Sequence, residues 1–507
     1  MSEPLFDSYH LTAAAIKQLA TQPIDGLKPE LTTLNEVAPY TALDDFDQSL
    51  RNAGQLLLAA QETLELIDNN GRTTTQTVHG PVAFQGDIPE GELSLRLKHL
   101  SALRRLQPIG TGLWQRAVLA FSDETQTVHC RIDLLFLTGE PGRAAAVAVL
   151  PSTTQYPESI RNIRGRVLGL NGTKFNGSAL VDALFPLQQP YDAKPSLAVA
   201  PDAGAFEAAN SIIGALIPVA RANEAGIVAD HDTEFLHDYR IQLRKIRSVL
   251  SLFKKVYDEP QTKHLKAEFS AVMDSTGALR DLDVYLLDKP EFYKLLPNSL
   301  HAGLDTLFDM FARQRKAEHA KLAALLSSKQ YKNKIKRIAA LFSSSGSPRP
   351  GPAANLPGST YACELIWKRY RKASKLAGQI NPASSDEKVH SLRIQCKKLR
   401  YLMESFSALF PPAELKTQLG ALKKLQDNLG LFNDYSIQQQ SLIQAIRQMP
   451  HKDGGPDIET AQCIGALIAV LHDKQQQERA RIEKSISRFN RDKTQKAFKK
   501  LLQPQGE

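Results

Sequence analysis

The segment His237-Asp-Tyr-Arg240-Ile-Gln-Leu-Arg244-Lys245-Ile-Arg247 spaces a histidine and three arginines at intervals of three, four and three residues. At 3.6 residues per turn, such a set shares one face of a helix. The same arrangement returns as His390-Ser-Leu-Arg393-Ile-Gln-Cys-Lys397-Lys398-Leu-Arg400. Guanidinium forks and ammonium groups in a row suit one kind of chemistry, charge-assisted hydrogen bonding to the oxygens of an anion. Like charges four residues apart cost a helix about 0.2–0.5 kcal/mol per pair, so a row of one sign over three turns points to a polyanion that neutralises it. Lys254, Lys263, Lys266 and Arg280 extend the first row, and Lys416, Lys423 and Lys424 the second. Within such a cluster, His237 and His390 are pushed toward the neutral form, and a bound phosphate would reverse that. Asp281 and Asp434 are expected to be structural partners of nearby cations, not an acid–base pair. One basic helix face is ordinarily solvated surface. Two with the same histidine start and register argue for function.

The elements that carry these rows follow from the apolar residues beside them. Leu236, Tyr239, Leu243, Ile246, Leu250 and Phe253 keep the same rhythm one position earlier, as do Val389, Leu392, Cys396 and Leu399. The cationic stripe therefore lies about 100° around the helix from the packed stripe, which suits the wall of a groove between helices. The two motifs are 153 residues apart. Asp274, Gly277 and Asp281 precede Asp427, Gly430 and Asp434 by the same interval, so the chain contains an internal duplication. Residues 205–342 and 360–507 are predicted to be helical almost throughout, each copy a bundle.

Residues 1–190 differ in character. Val128, Cys130, Ile132, Leu134 and Phe136 alternate with polar residues as in a half-buried strand. Leu93, Leu95 and Leu97 alternate likewise, and 145–150 reads as a buried strand. Asn70-Gly71 and Pro141-Gly142 mark turns. An antiparallel α+β domain is predicted. Proline-rich 186–204 and Ser/Pro/Gly-rich 343–359 read as linkers, the second as flexible.

Charge divides the chain in the same way. Of 507 residues with net charge +9, the first 200 hold 16 Lys/Arg against 21 Asp/Glu, and the remainder 47 against 33. The field that attracts anions thus belongs to the helical part. The start lacks the pattern of a signal peptide and no apolar run approaches a bilayer-spanning length, so a cytoplasmic protein without membrane attachment is expected. The four cysteines are scattered, which suggests buried thiols in a reducing compartment. No phosphate-binding glycine loop, His-Glu-x-x-His or Gly-x-Ser-x-Gly occurs, and no cofactor, metal site or catalytic residue is predicted. The stripes lack interleaved aromatic residues for base stacking, which disfavours nucleic acid as the partner.

The two basic motifs, followed by Gly277-Ala-Leu-Arg-Asp281-Leu-Asp283 and by Leu425-Gln-Asp427-Asn-Leu-Gly430-Leu-Phe-Asn433-Asp434, resemble the CHAD family, the conserved histidine α-helical domain, over 205–507. The resemblance implies two four-helix bundles related by a pseudo-twofold axis, with a basic pore or cleft between them. It also implies binding of inorganic polyphosphate, targeting to polyphosphate granules and no catalysis. The family's basic residues map onto His237, Arg240, Arg244, Lys245 and Arg247, and onto His390, Arg393, Lys397, Lys398 and Arg400. Asn433 departs from the pattern, since the first copy has Arg280 there. Residues 40–185 resemble a CYTH domain, the triphosphate-tunnel fold that often precedes CHAD. The family's Glu-x-Glu-x-Lys is missing near the N-terminus, and its Leu-Arg-x-Arg strand reads Leu56-Leu-Leu-Ala-Ala60. A degenerate, non-catalytic tunnel-like domain is expected.

Overall fold

A computed structural model describes residues 6–151, 155–186, 190–195, 203–343, 346, 348–407, 410–448 and 457–502. Parts of both expected linkers, 187–189, 196–202, 344–345 and 347, lie outside the described residues. The chain divides into two compact units, Met1–Ala193 and Lys194–Glu507.

Among the described residues, the first unit is built on ten antiparallel strands: β1 (Phe6–Leu11), β2 (Lys28–Thr33), β3 (Ala38–Asp44), β4 (Leu56–Ala60), β5 (Thr63–Ile67), β6 (Thr73–Thr77), β7 (Gln107–Ser122), β8 (Val128–Thr138), β9 (Ala144–Pro151) and β10 (Thr173–Lys174). Their order is β10-β1-β9-β8-β7-β3-β4-β5-β6, with β2 beside β3 on the same edge of the long β7. Helices α1 (Ala13–Leu19), α2 (Ser49–Asn52), α3 (Glu92–Arg96), α4 (Pro157–Gly169) and α5 (Gly177–Leu184) cover the sheet. Cys130, Ile132 and Leu134 of β8 bury one face beneath α1 and α4, while Leu135 and Leu137 point the other way, toward α5. The alternation in β8 and the buried run in β9 are thus a strand pair.

The sheet curls until its ends meet. Gly71, at φ +82° in the β5–β6 turn, sits so close to β1 that a Cβ there would lie 2.9 Å from the Ser8 side chain. A left-handed turn without a side chain lets the far hairpin press against the first strand. This curled antiparallel sheet is consistent with a CYTH-like fold.

Residues 93–97 are not a strand. They lie in α3 and its C-cap, Leu97, with Leu93 and Leu97 fully buried and Leu95 at 59% exposure. Leucines two apart fit either period. Here the outer two, four apart, share a helix face and the middle one faces away.

The second unit contains α6 (Ala205–Ala222), α7 (Glu224–Val228), α8 (Thr233–Leu252), α9 (Glu259–Ser275), α10 (Gly277–Leu287), α11 (Lys289–Leu295), α12 (His301–Ser327) and α13 (Lys329–Leu341). Then follow α14 (Gly358–Ala377), α15 (Asp386–Ser405), α16 (Pro412–Gln448), α17 (Ile458–Phe489) and α18 (Asp492–Leu502). The duplication shows in the boundaries themselves. The first residues of α6 and α14, of α8 and α15, and of α9 and α16 are each 153 apart. The single helix α16 corresponds to the first repeat's α9, α10 and α11, which break at Thr276 and Asp288.

Among the described residues, three touch their own repeat equivalents, 153 positions on. Gly204 bridges to Pro357. The Phe253 ring stacks on Phe406 at 4.8 Å and 13°. The Tyr285 hydroxyl donates to the Gln438 carbonyl at 3.3 Å. Equivalent residues of two repeats meet only beside the axis that relates them, so these contacts trace a local twofold. The repeats also share a core, in which Leu304, Phe308 and Phe311 pack with Leu442, Ile464 and Leu467. Gly303 permits the close approach, since a Cβ there would lie 2.6 Å from that of Cys463.

The segment expected to be a flexible linker is pinned where it is described. Gly351 and Ala353 donate to the carbonyls of Val256 and Lys255, both at 2.8 Å, and Ala205 donates to the Leu356 carbonyl at 2.9 Å. Its small residues let the backbone lie against the α8–α9 turn, and Ala353 and Ala354 are buried there. The terminal helix is likewise docked: Phe498 of α18 stacks on Tyr370 at 4.1 Å. The span Ala205–Val228 is long and apolar enough to cross a membrane by length and composition, contrary to the sequence-based expectation. Its face from Ala208 to Ala220 is buried, as in a core helix packed against neighbours.

Candidate anion-binding site

Helix α8 begins where Asp232 caps it, its carboxylate accepting from the Glu234 N–H at 2.9 Å and the Phe235 N–H at 3.3 Å. Leu236, Tyr239, Leu243 and Ile246 are 0–3% exposed, and Val389, Leu392, Cys396 and Leu399 of α15 match them. With those faces fixed, Arg240, Arg244 and Arg247 on α8, and Arg393, Lys397 and Arg400 on α15, are held half-buried beside the seam. His237 and Lys245 are half-buried too, while His390 is exposed.

The two stripes meet at the axis. Arg244 and Lys397 are repeat equivalents, and each stripe feels the other's charge there. Burial, then Arg393 and Arg244, lowers the Lys397 ammonium to about 8, against the pull of Asp434. Burial and Arg244 also disfavour the charge on Arg393, which Asp434 supports. On Arg240, burial acts first and Arg244, Arg280 and Arg247 add to it, while Asp281 opposes them. Guanidinium groups stay protonated regardless. These cations are therefore charged, crowded and only partly neutralised.

Neighbours hold several of them in place. Arg240 donates through Nη1 to the Thr276 hydroxyl and to the Met273 carbonyl, and that hydroxyl itself donates to the same carbonyl at 2.6 Å. Arg393 donates to Asp434 at 3.3 Å. The Nε atoms of Arg240 and Arg393, which are repeat equivalents, and Nη1 of Arg280 are buried with no acceptor among the described residues. A buried, unmatched charged donor is costly unless something meets it.

Asn433 has a role of its own. Its side-chain oxygen accepts from His390 Nδ1 at 2.6 Å. An amide oxygen only accepts, so Nδ1 carries the proton and the ring is fixed in orientation. Arg400 turns partly away from the stripe, donating to Glu404 at 2.6 Å. Asp281 keeps solvent access, yet surrounding protein raises its carboxyl against Arg240 and Arg280.

Not every expected cation joins this site. Lys263 on α9 and Lys416, Lys423 and Lys424 on α16 are exposed. None of them is among the strongest charges acting on Arg240, Arg393, Lys397 or Lys398. Lys254 and Lys266 gather instead around Lys398, together with Arg369 and Lys372 of α14. The sequence reading missed those last two. Their signal was the basic run Lys368–Lys372, but nothing local says which helix faces Lys398.

In the first unit, a cleft of about 1000 Å³ opens on the inner face of the sheet, lined by Arg72, Arg116, Arg131 and Asp133 among apolar residues. The absence of cations on β4 therefore does not extend to the whole face. Arg116 is engaged by the buried Glu65, which it pulls against the effect of burial. Asp44, raised to about 6 by burial, accepts from the Leu50 and Arg51 N–H groups that start α2. Among the described residues, no three His, Cys, Asp or Glu side chains come together as a metal ion would require.

A family model described as the CHAD domain matches residues 211–443. Among solved structures, the chain is similar to the crystal structure of the CHAD domain from the plant Ricinus communis. The two are 23% identical, the match covers 59% of this chain and 97% of that one, and the TM-score is 0.49. It is also similar to PptA from Streptomyces chartreusis, at 15% identity, covering 56% of this chain and 100% of that one with a TM-score of 0.44. No curated protein matches the chain.

Proposed function

With a CHAD domain at residues 211–443 as the premise, we propose that this protein binds inorganic polyphosphate, without catalysis, through the stripes of α8 and α15, and associates with polyphosphate granules. CHAD domains are associated with polyphosphate binding in general. The observation that carries the reading here is the pair of buried Nε donors on Arg240 and Arg393, unmatched at equivalent places in both repeats. They border like charges that crowd at the axis. Successive phosphates would supply acceptors to the donors and countercharge to the cluster. Arg forks give geometry and Lys397 a point charge.

The test is titration of the full-length protein with long-chain polyphosphate at two salt concentrations, with RNA as competitor. Binding that weakens with salt and survives excess RNA supports the proposal. Easy displacement by RNA would make the stripes a general polyanion surface.

Acidity gives a second expectation. An anion favours the charged form of Lys397, while the free protein lets it go near pH 8. Affinity should therefore hold below pH 8 and fall about tenfold by pH 9.5, the worth of one charge-assisted hydrogen bond. Lys397→Arg should flatten the profile, and an unchanged profile in that variant would assign the effect to another group.

For the N-terminal unit, tripolyphosphate incubated with the protein and Mg²⁺ or Mn²⁺ is expected to release no phosphate above buffer. Metal-dependent release would overturn the non-catalytic reading.

A further inference from the structure

Lys398 follows Lys397 in α15 and so points about 100° further around the helix, off the axial stripe. It is not alone there. Burial disfavours its charge first, and then Arg369 and Lys372 of α14, Lys266 of α9 and Lys254 after α8 all act in the same direction. Arg369 lies along α15, donating to the Gln395 side chain at 2.6 Å, three residues before Lys398. The end of α8 is fastened to α14, since the Tyr361 hydroxyl donates to the Lys254 carbonyl at 2.8 Å. Five cations from both repeats thus gather around one spot, and the strongest charges acting on Lys398 are all of its own sign. Two acids of the helices that carry these cations are engaged elsewhere, Glu268 of α9 with Lys334 at 2.6 Å and Glu404 of α15 with Arg400 at 2.6 Å.

Of these five cations only Lys398 has a basic repeat equivalent, Lys245. The repeat equivalents of Arg369 and Lys372 are Leu216 and Val219, and those of Lys254 and Lys266 are Ser407 and Leu419. The axial stripe is present in both repeats, but its extension exists on one side only. Lys397 and Lys398 are adjacent, so an anion lying on the stripe and continuing past Lys397 comes over the second cluster.

We infer that Lys398, Arg369, Lys372, Lys266 and Lys254 form a second phosphoanion subsite, continuous with the axial stripe on one side only, which engages linear polyphosphates too long to be held by the stripe alone. The inference rests on the polyphosphate reading above. A short chain of three phosphates is held at the axis. A long one runs out over Arg369 and Lys372, and the one-sided extension gives it a single preferred exit.

The test compares tripolyphosphate with long-chain polyphosphate on the full-length protein, using the double variant Arg369→Gln/Lys372→Gln. Long-chain affinity should fall about tenfold, with a shallower salt dependence, while tripolyphosphate affinity changes less than about twofold. As a control, Lys329→Gln/Lys336→Gln removes the same charge from the exposed face of α13. It should leave both affinities within about twofold, as diffuse charge at a distance is screened. Equal loss for both ligands, no loss for either, or equal loss in the control would overturn the subsite while leaving the axial reading in place. Failure of the unaltered protein to bind either ligand would instead remove the axial reading itself, and the subsite with it. Thermal unfolding of each variant without ligand separates loss of binding from loss of fold.

Discussion

Replacing Arg244 and Lys397 together with glutamine is expected to lower polyphosphate affinity at least about 100-fold while leaving the helical unit as stable as before, or more so. Hydrogen bonds to charged groups are worth roughly 1.5–3 kcal/mol each, and about 1.4 kcal/mol is a factor of ten in affinity. Losing two at the point where the stripes meet therefore removes two or more powers of ten. The stability half of the expectation comes from the same crowding. Burial, Arg393 and Arg244 depress the Lys397 ammonium to about 8, below its ordinary value in an unfolded chain. Below pH 8 the folded state carries the full penalty of that charge, and the penalty fades as pH rises toward the unfolded value. The gain in stability from the double variant should thus be largest at pH 7 and shrink by pH 10. Polyphosphate titrations and ligand-free melts at both pH values check it. A variant that binds normally, or that unfolds early without ligand, would show that the pair serves the fold and not the ligand.

Phe253→Ala is expected to cost the helical unit about 3–5 kcal/mol, the usual range for emptying a fully buried aromatic site. The ring is 1% exposed and stacks on its own repeat equivalent, Phe406, which is fully buried. Phe406→Ala should cost a similar amount. The double variant should cost less than the two combined by roughly 0.5–1.5 kcal/mol, because the aromatic contact itself can be lost only once. Trp367 in α14 and Trp114 in β7 are the two tryptophans of the chain, so fluorescence of a Trp114→Phe background follows the helical unit alone during urea unfolding. Strict additivity would mean that the two rings pack independently, against the geometry described.

Much of the helical unit was legible in the sequence, for a physical reason. Helix periodicity is local, and the apolar rhythm from Leu236 to Phe253 is enough to orient the cationic face of α8 and, one repeat later, that of α15. The 153-residue interval between two short motifs also proved to be the interval between the starts of whole helices. What could not be read depends on contacts distant in sequence. Arg369 and Lys372 join the basic surface only because α14 packs along α15, and Asn433 holds His390 across two helices. The proline-rich segment around Gly351 looked flexible because composition reports its freedom in isolation and not the carbonyls that await it. Leu93, Leu95 and Leu97 misled for a narrower reason, since three leucines are too few to separate a period of two from one of 3.6.

The contacts of Gly204, Phe253 and Tyr285 with their own equivalents have the form of an isologous dimer interface, in which each residue faces itself. In a true homodimer every change at such a position is made twice, so charge beside the axis can be altered only in steps of two. Joining the halves in one chain removes that constraint. Here one side of the axis keeps an arginine that never loses its proton, and the other carries Lys397, which does so near pH 8. The covalent join is thus what lets a symmetric scaffold hold an odd number of titratable charges at its centre.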